Sequence, residues 1–156
     1  MKTKPSNQAT QLTTDKADPV KPCTWGVFHD GVIQDIEGTL PGNIMLSINI
    51  AYLSAMFEGE DTSFRVYLTG CTKIRYCEYD EDPTVDLNRI REREPEILYV
   101  TSEQPLVLDC VMGTLELEYE EMAITLESGV EVSEQELINA SEQYWSRWRN
   151  STRSDA

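Results

Sequence analysis

Three features of the 156-residue sequence predict an α+β fold that is mainly antiparallel β, a sandwich or partly open barrel with one C-terminal amphipathic helix. Apolar and polar side chains alternate in short runs, turn residues separate the runs, and only residues 133–149 carry a long apolar stripe at helical spacing. Strands in succession followed by one helix belong to the layered α+β class, here with about eight strands.

The length suits one domain, because two halves of this size would each bury too little surface. Residues 1–22 contain almost no large apolar side chain and are expected to be a disordered tail. The β-rich domain is expected to span 23–149, with 150–156 fraying.

Structure is expected to begin at Cys23, with Trp25 to Glu37 forming a hairpin around the Asp30-Gly31 pair that a type I′ turn favours. Leu40-Pro41-Gly42-Asn43 reads as a turn. Ile44, Leu46, Ile48 and Ile50 then share one face of a strand, and Tyr52, Leu53, Met56 and Phe57 follow at helical spacing.

The longest alternation runs from Ser63 to Tyr79. Phe64, Val66, Leu68, Thr72, Ile74 and Tyr76 share one parity, and Arg65, Tyr67, Thr69, Cys71, Lys73, Arg75 and Cys77 the other. Gly70 permits one long strand to bend. A two-residue hairpin there would turn charges inward, whereas a three-residue loop would preserve the parity, so a long strand and such a hairpin both remain open.

Residues 83–95 suit a loop with a possible turn of helix. Four strands, EILYVTS, PLVLDCVM, TLELEYE and MAITLES, are then expected as a meander, with Leu115, Leu117 and Tyr119 inward and Glu116, Glu118 and Glu120 in a solvated row. Ser133 and Glu136 form a capping box opening the helix, whose stripe of Leu137, Ile138, Ser141, Tyr144, Trp145 and Trp148 is expected to be buried against the sheets.

Charge is unevenly distributed. The total is −15; residues 1–22 carry four lysines against two aspartates and 147–156 three arginines against one, which leaves −19 on residues 23–146. Such a body repels phosphate backbones, so direct nucleic-acid binding is not expected, and it attracts basic proteins. No apolar run approaches the roughly 20 residues needed to span a bilayer, and no membrane association is expected. Four cysteines without a leading signal-like segment suit free thiols in a cytoplasmic protein.

Catalytic chemistry finds little to build on. His29 is the only histidine, and a hydrolytic or small-ligand site would have to combine it with carboxylates such as Asp30 and Asp35. CxxC pairs, calcium-loop spacing and phosphate-binding glycines are all missing, so no metal, cofactor or catalytic residue is assigned. The candidate binding residues are the outward set Arg65, Tyr67, Lys73, Arg75 and Tyr79, together with Glu116, Glu118 and Glu120. Cross-strand pairing between those cations and glutamates is the simpler account of the same residues. The expected function is non-enzymatic binding of a basic protein partner, for instance as a bacterial immunity-type inhibitor of a cationic toxin or nuclease.

Overall fold

The computed structural model describes residues 24–154, and side chains through Ser151. The expected tail over 1–22 and the start at Cys23 lie outside the described residues.

Among the described residues, nine strands form two antiparallel sheets. The five-stranded sheet contains β1 (Val32–Gly38), β2 (Gly42–Asn49), β3 (Ser63–Cys71), β8 (Glu121–Leu126) and β9 (Glu131–Val132), in the order β9-β8-β3-β2-β1. The four-stranded sheet contains β4 (Lys73–Glu78), β5 (Ile97–Glu103), β6 (Leu106–Cys110) and β7 (Gly113–Glu118), in the order β4-β7-β6-β5. Their inner faces share one apolar core, in which Ile48, Phe64, Val66, Leu108 and Ile97 are fully buried. The predicted α+β class, mainly antiparallel β with a terminal helix, is therefore the observed one, and the barrel is not closed.

The 63–79 stretch is neither one strand of a single sheet nor a hairpin. At Gly70 (φ 62°) and Thr72 it leaves the five-stranded sheet and enters the four-stranded one. The left-handed backbone explains the glycine, and a Cβ there would also lie 2.6 Å from the Glu120 carboxyl group. The corner keeps Phe64, Val66, Leu68, Ile74 and Tyr76 inward, and it turns Cys71 into the core against the predicted parity.

The expected meander breaks at the matching place. β5, β6 and β7 are consecutive neighbours, but β8 crosses back to pair with β3, Ile124 opposite Val66. The two crossings, β3 to β4 and β7 to β8, join the sheets at one corner, where Glu120 N–H donates to the Thr69 carbonyl (2.8 Å).

The predicted Trp25 to Glu37 hairpin does not form. Thr24–Val27 is a helical turn, α1, because Trp25 and Phe28, three residues apart, both reach the core, and β1 pairs with β2 instead. Asp30 does adopt positive φ (71°), as its turn-forming type suggests. α2 (Ala51–Ser54) appears where helical spacing predicts it. The ambiguous 83–95 segment holds a full helix, α3 (Leu87–Arg93), capped by Asp86, whose carboxylate accepts from the Asn88 and Arg89 N–H groups. Ile90, its one fully buried side chain, anchors it.

α4 (Glu134–Ser154) opens with the predicted capping box, Ser133 N–H to Glu136 Oε1 at 2.9 Å and Glu136 N–H to Ser133 Oγ at 3.0 Å. It remains helical to Ser154, where fraying from residue 150 is expected. Nor is its aromatic stripe buried under the sheets. Leu137 and Ala140 pack in the core, but Tyr144 and Trp145 are half-buried against Tyr52 of α2, and Trp148 is 54% exposed. α4 docks mainly on the two short helices, because those helices occupy the place the sheets would otherwise offer.

The described cysteines Cys71, Cys77 and Cys110 are free thiols. Burial raises the Cys71 thiol and pushes Cys110 up to about 12, with the Asp109 carboxylate adding to the latter. Alkylation of the native protein near neutral pH, mapped by peptide mass, is expected to modify Cys77 and to reach Cys71 and Cys110 only after unfolding. Labelling of Cys110 at the rate of Cys77 would show that the core is open there.

Candidate binding surfaces

The corner at Gly70 decides the fate of the predicted cationic face. Arg65 and Tyr67 lie on the outer side of the five-stranded sheet, while Lys73 and Arg75 lie on that of the four-stranded sheet. They do not form one surface. Register places Arg75 opposite Glu116 and Lys73 opposite Glu118. Lys73 Nζ lies 2.9 Å from Glu116 and 3.7 Å from Glu118, and Arg75 Nη1 is 3.2 Å from Glu116. The simpler account of cross-strand pairing is the observed geometry for these four residues.

The hydrogen bond from Lys73 holds the Glu116 carboxyl below its ordinary pKa. A depressed folded-state pKa means that this stabilisation is complete above the unfolded value and is lost as pH falls through the folded one. The pairs are half-exposed, so solvent and salt screen them and each contributes little.

Glu120, just beyond the end of β7, separates from Glu116 and Glu118 and lines a cleft instead. A cleft of about 580 Å³ lies where β7 leaves one sheet and β8 enters the other. Trp25, Leu106, Tyr119 and Met122 provide its apolar lining, and Glu103, Glu120, Glu121 and Glu134 its charge. A second cleft of about 540 Å³ adjoins it beneath the β5–β6 turn and adds Glu118. A third, of about 660 Å³, adjoins along β8 and β9 and adds Tyr67, Glu131 and Glu136.

The three clefts share walls, Glu103, Leu106, Tyr119 and Glu120 between the first and second, Met122 and Glu134 between the first and third, and are taken together as one acidic groove. Seven glutamates line it and no lysine or arginine does. Its walls are tied by long-range bonds: Trp25 Nε1 donates to Tyr119 OH (2.7 Å), and Thr24 Oγ1 donates to Glu134 Oε1 (2.5 Å), joining α1 to the start of α4. The glutamates are spread along the walls, and among the described residues no three Asp, Glu, His or Cys side chains are placed to hold a metal ion.

Of the residues singled out from sequence, Glu118, Glu120 and Tyr67 line this groove; Lys73, Arg75, Glu116 and again Glu118 form the ion-pair lattice; Arg65 and Tyr79 lie in neither. Sequence reasoning missed Glu103, Glu121, Glu131, Glu134 and Glu136. They come from the end of β5, the first residues of β8 and β9, and the first turn of α4, which only the crossing between sheets brings together.

His29, the residue on which a hydrolytic site would have to be built, is held by two ring contacts. Its Nδ1 contacts the Leu98 carbonyl oxygen, and its Nε2 lies 3.4 Å from the Asp30 carboxylate. Its own carbonyl accepts from Tyr52 OH (2.9 Å). Burial pushes that phenol up to about 12, with the Asp30 carboxylate contributing. Asp35, the other carboxylate near His29 in sequence, pairs instead with Arg91 at 3.7 Å. The His29 contacts brace the segment after α1 and α2 against β5, and the Asp35 pair ties β1 to α3.

Among the described residues no helix is long and apolar enough to cross a membrane. No protein-family model, no curated protein and no solved structure matches the chain.

Proposed function

We propose that this chain is a non-enzymatic, cytoplasmic binding protein whose acidic groove receives a basic segment of a protein partner. An inhibitor of the immunity type, covering the cationic site of a toxin or nuclease, is one concrete form. The observation that carries the reading is the groove itself, seven glutamates around an apolar floor, of which Glu118 alone is paired with a cation, Lys73, among the described residues. Carboxylates in that arrangement imitate the phosphates that a basic site normally meets. Free thiols at Cys71, Cys77 and Cys110 suit a reducing compartment.

Binding kinetics with a short lysine- and arginine-rich peptide test the reading. Association is expected to slow steeply as ionic strength rises, because the Debye length shrinks from about 30 Å at 0.01 M to about 10 Å at 0.1 M. Failure to bind at low salt, or an association rate indifferent to salt, would leave the acidity as a source of solubility alone.

A further inference from the structure

A separate feature lies at the other end of the four-stranded sheet. Register places Tyr99 opposite Asp109 and Asp109 opposite Thr114 on the outer face. Tyr79, just beyond β4, donates from its main-chain N–H to the Met112 carbonyl (3.1 Å) and reaches over β7 to place its hydroxyl 3.4 Å from Asp109 Oδ1. Tyr99 lies directly opposite Asp109 on the neighbouring strand, and the Asp109 carboxylate raises both phenols above their ordinary pKa. Tyr99 and Tyr79 are 56% and 59% exposed.

Asp109 thus lies beside two exposed tyrosines, and no lysine or arginine among the described residues pairs with it. The nearby Arg93 is occupied by Glu78 (3.0 Å) and Glu81 (3.4 Å). A carboxylate offers two oxygens to a planar fork of N–H donors, and an aromatic face attracts the same cation. Guanidinium fits both elements, whereas an ammonium is a compact, strongly hydrated charge that gains less from stacking.

We propose that Tyr79, Asp109 and Tyr99 form a clamp for an arginine side chain presented by a protein partner. Asp109 accepts the guanidinium N–H groups, and the two tyrosine rings flank its plane. The clamp uses none of the groove glutamates and stands or falls independently of the groove.

NMR titration of the full chain with N-acetyl-arginine amide tests this directly. Chemical-shift changes are expected at Tyr79, Tyr99 and Asp109, with N-acetyl-lysine amide binding several-fold more weakly. Asp109→Asn should abolish the response with the spectrum otherwise folded. Tyr99→Leu should weaken it, while Tyr99→Phe, which keeps the ring, should retain most of it. Shifts confined to the groove, equal responses to the two cations, or a response that survives Asp109→Asn would overturn the proposal.

Discussion

Phe64→Ala is expected to destabilise the domain by about 3–5 kcal/mol, measured as a lower urea midpoint at unchanged slope. Phe64 lies on β3, the middle strand of the five-stranded sheet, and is fully buried. Its ring meets Phe28 at 6.1 Å and Phe57 at 5.8 Å, so one truncation opens a void between the sheet, the segment after α1 and the segment after α2. Partial collapse would reduce the cost without removing it. Trp145→Ala, at a position the helical stripe predicts to be buried, is expected to cost about half as much or less, because that ring is only half-buried. Equal losses at the two positions would mean that α4 is held as firmly as the sheets.

The contrast between these residues shows what the sequence makes legible. Parity along Phe64, Val66 and Leu68 reports a buried strand face wherever the partner lies, since side chains alternate regardless of which strand pairs with which. The capping box at Ser133 and Glu136 is equally local, and it appears as expected. Partner choice is not local. Nothing in TLELEYE and MAITLES distinguishes a hairpin from a crossing, because both leave Leu115, Leu117, Ile124 and Leu126 inward.

Both sheet changes follow from that blindness, and so does the misplacement of the candidate site. Gly70 is visible as a position where a strand can bend, but its positive φ acquires meaning only with Glu120 packed above it. The Trp25 segment fails for a different reason. Its residues suit a strand, yet one helical turn lets Trp25 and Phe28 share the core, and burial of two aromatics outweighs a weak local preference.

The groove carries the largest functional expectation. A triple variant with Glu103→Lys, Glu120→Lys and Glu121→Lys should slow association with the basic peptide by about 10–100-fold at low salt, since focused fields in clefts raise on-rates by about 10–1,000-fold. All three side chains are exposed, so the circular-dichroism spectrum should be unchanged. Glu134 is left in place because its bond from Thr24 helps join α1 to α4. The control reverses Glu58, Glu60 and Glu92, which are exposed and do not line the groove, and alters net charge equally. A local site predicts that the control retains most of the association rate. Equal slowing by the two variants would show that total charge governs the encounter, and the groove would then have no claim to be where the partner sits.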